Sequence, residues 1–137
     1  MRSRVGVPPL TWNSALAESA RRWANACVDA VAPRGMIDHS PQRPGGYEAA
    51  VGENIFATTG PRADPLVAVS EWAEEDVYYD HQRNTCSGGM CGHYTQLVWG
   101  SSREVGCGVG SCPALRFSAT LVCQYKPVGN VVGERPY

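Results

Sequence analysis

The sequence predicts an α+β domain whose helices precede an antiparallel sheet. Apolar residues recur every three or four positions in two segments before residue 80, and they alternate with polar residues in several segments after residue 94. A chain of 137 residues has the size of one domain, so we expect a single domain over residues 1–137. Helices followed by strands are typical of a layered α+β domain.

The first helix is predicted to begin after Thr11 or Asn13, either of which can act as its N-cap. Pro33 and Gly35 mark its end. Between these limits the apolar positions follow a helical spacing: Leu16, Ala20, Trp23, Cys27 and Val31. Residues 36–63 are rich in proline and glycine and are predicted to be irregular.

The second helix has the clearest start in the sequence. Asp64 can cap it, and Pro65 fits the first turn, where no backbone N–H bond is needed. We expect the helix to continue to about Tyr79. Its predicted buried face consists of Leu66, Val69, Trp72, Ala73 and Val77.

Three strands are predicted in the second half of the chain, over residues 94–99, 105–109 and 117–125. The third has the most regular alternation, in which Phe117, Ala119, Leu121, Cys123 and Tyr125 alternate with Ser118, Thr120, Val122 and Gln124.

Composition and charge exclude several classes of protein. Hydrophobic residues make up 43% and charged residues 18%, which excludes intrinsic disorder. Twelve Lys and Arg residues and thirteen Asp and Glu residues give a net charge of −1. The chain therefore lacks the excess positive charge that is typical of nucleic-acid-binding proteins. The sequence contains no apolar run long enough to span a membrane. Residues 1–10 lack the apolar core of a secretory signal, so we expect a chain without its signal peptide.

The cysteine count is high and even: Cys27, Cys86, Cys91, Cys107, Cys112 and Cys123. Such a count is typical of three disulfides and an oxidising compartment. A loose four-thiolate zinc site is the alternative, because Cys86 and Cys91 have the same spacing as Cys107 and Cys112.

The disulfide interpretation explains more of the sequence. Residues 87–90 are flexible enough to let Cys86 reach Cys91. Cys107 and Cys123 fall at inward-facing positions of their strands, so neighbouring strands could bring them within bridging distance. Among the many pairings open to six cysteines, placement favours Cys86–Cys91, Cys107–Cys123 and Cys27–Cys112.

Common catalytic motifs are missing from the sequence, including His-Glu-x-x-His and Gly-x-Ser-x-Gly. With the cysteines paired, no thiol nucleophile remains. Histidines and carboxylates therefore carry the candidate chemistry: His39, His81, His93, Glu53, Glu71, Glu74 and Glu75. Taken singly, each also fits an ordinary packing or surface role.

Several ordered motifs resemble one family. Residues 91–99, Cys-Gly-His-Tyr-Thr-Gln-Leu-Val-Trp, resemble the signature of the CAP superfamily, whose domain is also called the SCP domain. Residues 123–137 are similar to the end of the plant pathogenesis-related proteins of class one. The other matching motifs are Pro9-Leu10-x-Trp12-Asn13, Gly52-Glu53-Asn54, Trp72-x-x-Glu75 and Asn84-Thr85-Cys86. Together they cover essentially the whole chain.

The resemblance implies a three-layer α-β-α sandwich with a central, mainly antiparallel sheet. It also implies a cavity formed by His39, Glu53, Glu75 and His93. Glu71 is the alternative to Glu75, because it lies one helical turn earlier on the same face. These side chains suit Zn²⁺, with Mg²⁺ or Ca²⁺ as weaker candidates. A hydrogen-bonded cluster without metal is the equal alternative. If zinc binds, its affinity should fall as the pH drops through about 6.5, where imidazole becomes protonated.

The resemblance further implies a secreted, monomeric plant defence protein of the apoplast that acts against microbes by binding a sterol or another lipid. The lipid-binding residues would be Trp72, Val77, Tyr78 and Tyr79. Cleavage between Lys126 and Pro127 would release residues 127–137 as a signalling peptide for a receptor.

Two other functions stay open. One is a metal-dependent hydrolase, a protease, with Glu53 or Glu75 as general base. The other is sterol export of the fungal type. The chain departs from the family pattern in three ways: an N-terminal helix before residue 6 is truncated, residues 30–38 resemble an insertion, and Gln124 stands where Asn is common.

Overall fold

The computed structural model describes residues 1–31, 33–41 and 51–137. The strands are β1 Thr11–Trp12, β2 Gly52–Thr58, β3 Tyr79–Asp80, β4 Thr85–Cys86, β5 Glu104–Ser111 and β6 Ala119–Lys126. The main sheet has the strand order β1-β5-β6-β2, in which β1 runs parallel to β5 and the other neighbours are antiparallel. The helices are α1 Ser14–Ala24, α2 Pro65–Glu74 and α3 Gly92–Leu97, with 3₁₀ helices at Arg2–Val5 and Glu75–Tyr78.

Helix α1 begins where the sequence predicts and ends earlier. The Asn13 side chain accepts hydrogen bonds from the amides of Ala15 and Leu16, at 2.9 and 3.1 Å. The predicted continuation towards Pro33 is wrong, because the last helical residue is Ala24. Cys27 has a φ of 55°, a left-handed conformation that a right-handed helix cannot contain.

Helix α2 has its predicted cap, since the Asp64 carboxylate accepts from the Leu66 amide at 2.8 Å. Its predicted buried face is largely wrong. Leu66 is 81% exposed and Val77 is 75% exposed, whereas Ala68 and Trp72 are buried. The helix becomes a 3₁₀ helix at Glu75. A continuous period of 3.6 residues therefore places the Val77 side chain on the wrong face.

The strand predicted over residues 94–99 is wrong, because this segment forms α3. Cys91, Tyr94 and Val98 are buried, at successive steps of three and four residues. Thr, Tyr and Val favour strands locally, yet burial at helical spacing decides the structure here.

The region predicted to be irregular contains a seven-residue strand, β2. It pairs with β6 over its whole length and places Glu53 directly opposite Gln124. Residues 42–50 of the same region lie outside the described part of the chain. The predicted strands at 105–109 and 117–125 are confirmed as β5 and β6.

The sheet separates two hydrophobic cores, which confirms the three-layer architecture. One core joins Trp72 of α2 to Leu121, Cys123 and Tyr125 of β6. The other joins Ala20 and Ala24 of α1 to Ile55, Cys112 and Val122. The alternating side chains of β6 therefore enter two different cores, which explains why nearly the whole strand is buried.

Helix α1 lies close against β5. A Cβ on Gly106 or Gly108 would overlap backbone atoms of Ala17 or Arg21. These two glycines let helix and strand approach within a distance that a side chain would block.

All three predicted disulfides are confirmed: Cys27–Cys112, Cys86–Cys91 and Cys107–Cys123. All six cysteines are paired, so the zinc–thiolate alternative is wrong. Within the described residues, every helix is too short or too polar to cross a membrane.

Candidate functional site

The four residues expected to share a cavity come from four different segments and form two separate pairs. His39 precedes residues 42–50, and Glu53 lies in β2. Glu75 begins the 3₁₀ helix after α2, and His93 is the second residue of α3. His39 contacts Glu53, and His93 contacts Glu75.

In the first pair, Nδ1 of His39 donates to Oε1 of Glu53 at 2.9 Å. The same oxygen accepts from the Ser40 amide at 2.9 Å, and Oε2 accepts from Nε2 of Gln124 at 3.0 Å. The Glu53 side chain is only 9% exposed, whereas the His39 side chain is 63% exposed. A carboxylate with little exposure thus fixes the orientation of a solvent-facing imidazole.

The loop before His39 is ordered by its neighbour Asp38. The Asp38 carboxylate accepts from the amides of Ala30 and Val31 at 2.7 and 2.9 Å, and these bonds lower the pKa of Asp38. Its carbonyl accepts from the indole N–H of Trp23 at 2.8 Å. These contacts connect the start of the first pair to α1.

In the second pair, Nδ1 of His93 donates to Oε1 of Glu75 at 2.6 Å. The other carboxylate oxygen accepts from the backbone amides of His93 and Tyr94, at 2.9 and 3.1 Å. The N-cap residue of α3, Cys91, makes no side-chain cap, so Glu75 caps this helix from another element. The buried Trp72 ring stacks on His93, with 5.8 Å between ring centroids.

Asn54 connects the two pairs through the backbone. Its side-chain amide donates to the His93 carbonyl at 3.2 Å and to the Tyr125 hydroxyl at 3.3 Å. Because Asn54 follows Glu53 in β2, the strand of one pair is bonded to the helix of the other. This contact fixes the relative position of β2 and α3.

The two pairs do not converge into a metal centre. Among the described residues, no three His, Cys, Asp or Glu side chains are placed to hold one metal ion. A cavity of about 290 Å³ is lined by His39 and Glu53 but not by Glu75 or His93. The arrangement of the described residues therefore does not fit the four-ligand zinc site that the sequence predicts. Each pair is instead connected by hydrogen bonds of its own.

Comparisons with known proteins identify the family. The sequence profile of CAP, described as the cysteine-rich secretory protein family, matches residues 1–125. The chain belongs to the CAP family. It is 41% identical over 137 residues to pathogenesis-related protein PR-1 of Medicago truncatula, covering 99% of this chain and 72% of that protein. It is 39% identical to the basic form of pathogenesis-related protein 1 of Nicotiana tabacum, covering 99% and 69%.

The solved structure of venom allergen-like protein 4 of Schistosoma mansoni has the same fold. It superposes on this CAP domain with a TM-score of 0.69 at 29% identity, covering 96% of this chain and 79% of that chain.

Gln124 is a site residue that sequence reasoning noted only as a departure from the family pattern. It is fully buried, lines the His39 cavity, and its Nε2 bonds Glu53. Its Oε1 has no hydrogen-bond partner among the described residues. Gln124 is identified by the pairing of β2 with β6, which places it opposite Glu53. Because the sequence did not predict β2, this pairing could not be predicted either.

The CAP domain separates the four predicted lipid-binding residues. Trp72 is buried, and Tyr79 is half-buried with its hydroxyl bonded to Asn84 at 2.7 Å. Val77 and Tyr78 are exposed and line a cavity of about 690 Å³. The other lining residues are Glu71, Glu74, Glu75 and Asp76.

Three further residues named by the sequence analysis have clear positions. Lys126 ends β6 opposite Glu104, and its carbonyl accepts from the Arg103 amide at 2.9 Å. The Pro127 carbonyl accepts from the Ser102 hydroxyl at 2.9 Å. His81 lies outside both pairs, stacked on Tyr137 with 4.3 Å between centroids.

Proposed function

We propose that this CAP domain is a secreted, pathogenesis-related defence protein that acts on microbes by binding a sterol. Relatives from two plants carry the name pathogenesis-related protein and align over 99% of the chain. Three disulfides suit an extracellular protein. Localisation in the apoplast and a monomeric state belong to the same proposal.

The observation that carries the proposal is the cavity beside Val77 and Tyr78. An exposed aliphatic side chain and an exposed aromatic ring line one wall of a space large enough for a polycyclic ligand. The Tyr78 ring also lies against Gly89, where a Cβ would come within 2.7 Å of it. Tyr78 is nevertheless 40% exposed, so part of its surface is accessible to a ligand.

The charged wall of the same cavity selects among lipids. Exposed Glu71, Glu74 and Asp76 can each accept a hydrogen bond from a sterol hydroxyl. The same carboxylates repel an anionic head group. A neutral sterol should therefore bind more tightly than its sulfate ester or a fatty acid of similar apolar area.

Equilibrium binding of a neutral sterol to the full chain tests the proposal. We expect Val77→Ser combined with Tyr78→Ala to weaken binding about tenfold or more, because both apolar contacts are lost. Val132→Ser is the matched control, since Val132 is 99% exposed and lies in the C-terminal segment. Equal affinities of the double variant and wild type would contradict this site, as would tighter binding of the sterol sulfate.

Release of residues 127–137 as a peptide for a receptor belongs to the same proposal. The peptide bond between Lys126 and Pro127 lies at the end of the paired strand β6. The carbonyl groups of both residues accept hydrogen bonds. A protease would therefore need this end of β6 to open before it could cleave.

The metal-dependent hydrolase gains no support from the described residues. Among those residues, no three metal-ligating side chains come together beside Glu53 or Glu75, the two candidate general bases. A peptide-cleavage assay with and without chelator distinguishes this function from lipid binding. Sterol export of the fungal type stays a prediction.

A further inference from the structure

The C-terminal segment, residues 127–137, is hydrogen-bonded to α3 along that helix. The Asn130 side chain accepts from the Thr95 hydroxyl at 2.7 Å and donates to the Gly92 carbonyl at 2.8 Å. The Gly129 amide donates to the Gln96 side chain at 3.2 Å. These bonds reach both the first and the last turn of the short helix.

The far end of the segment also contacts α3 and the residues that follow it. The Tyr137 hydroxyl lies 3.2 Å from the Tyr94 hydroxyl, and the Pro136 carbonyl accepts from the Gly100 amide. Burial raises the pKa of Tyr94, so this phenol stays protonated and able to donate. The Tyr137 ring also stacks on His81, next to the ribbon formed by β3 and β4.

Helix α3 needs such support because six residues do not form a stable helix alone. This helix supplies every donor that Glu75 accepts: the two amides of His93 and Tyr94, and the His93 imidazole. The donors to Glu53 come instead from the His39 loop and from β6. The two pairs therefore take their direct hydrogen bonds from different parts of the chain. Gly129 and Asn130 also line the cavity beside His39, but neither is bonded to His39 or Glu53 among the contacts of the described residues.

We infer that residues 127–137 position the His93–Glu75 pair, and that Asn130 is the main positioning residue. Loss of the segment loosens α3 and dismantles this pair, while the His39–Glu53 pair persists. A cut before Pro127 would then also act as a switch on one half of the site. This last consequence rests on the peptide release proposed above, whereas the positioning role does not.

Amide hydrogen exchange of the full chain tests the inference, because each pair has its own reporter amides. His93 and Tyr94 report on Glu75, and Ser40 reports on Glu53. Asn130→Gly removes the side chain and suits the left-handed φ of 55° at this position. We expect it to lower protection of the His93 and Tyr94 amides about tenfold, and to leave Ser40 within about twofold of wild type.

Val132→Gly is the matched control, because it makes the same backbone more flexible at an exposed position of the segment. Thr95→Val removes the partner of Asn130 from the α3 side, and its effect should not add to that of Asn130→Gly. Unchanged protection at His93 and Tyr94 would overturn the inference. An equal loss at all three amides would overturn it too, since that result indicates general destabilisation. The measurement contains neither sterol nor protease, so it is independent of the proposed function.

Discussion

At the scale of residues, two carboxylates of low exposure organise the candidate site. Glu53 and Glu75 each accept one imidazole N–H and two further hydrogen bonds, all from residues outside their own element. Bonds to a charged acceptor are stronger than neutral ones. The carboxylates therefore have a structural role whether or not the cavity binds a ligand.

Glu75→Ala should destabilise the CAP domain by about 2–3 kcal/mol, because three donors lose a charged acceptor. Glu71→Ala is the matched control one helical turn earlier, at an exposed position where about 0.5 kcal/mol or less is expected. Urea unfolding of both variants measures the difference. Equal stabilities of the two variants would mean that Glu75 does not act as the cap of α3.

The family motifs identified His39, Glu53, Glu75 and His93, but sequence alone could not divide them into pairs. The division depends on the β2–β6 register, which places Gln124 opposite Glu53, and on the start of α3, which places His93 and Tyr94 on Glu75. Both features are long-range. Of the two carboxylates one turn apart that could have matched the family motif, Glu75 and not Glu71 contacts His93.

At the scale of elements, local signals predicted where helices begin better than where they end. Asn13 and Asp64 cap helices as predicted because a cap depends on neighbouring residues only. Helix α1 ends at Ala24, and the predicted continuation is incompatible with the left-handed Cys27, which is linked to distant Cys112. Strand β2 escaped prediction for a related reason: its pairing partner β6 is more than sixty residues away.

The three disulfides should contribute unequally to stability, because they close loops of different length. Cys27–Cys112 has a sequence separation of 85 and Cys86–Cys91 a separation of 5. The chain-entropy estimate is about 4.5 kcal/mol for the long loop and about 2 kcal/mol for the short one. Paired Cys→Ser variants compared by guanidinium unfolding measure the two costs. A larger cost for the short loop would show that native contacts, rather than loop closure, dominate.

At the scale of the whole molecule, the three layers explain how two pairs coexist on one sheet. The α1 side holds the Asp38 loop and with it His39, through the Trp23 bond to the Asp38 carbonyl. The opposite side holds α2 and α3, where Trp72 joins the core to the His93 ring. Glu53 lies on β2 between these layers, and its neighbour Asn54 bonds the His93 carbonyl.

The central claim is that the four side chains form two separate pairs and not one four-membered cluster. Long-range proton–nitrogen NMR spectra of the three imidazoles at neutral pH test it most directly, with Glu53→Gln and Glu75→Gln as the perturbations. In the wild type we expect His39 and His93 each to carry a proton on Nδ1, the atom that faces the carboxylate. Glu53→Gln should then change the nitrogen shifts of His39 alone, and Glu75→Gln those of His93 alone. A substitution that moves both rings together would contradict the two-pair account.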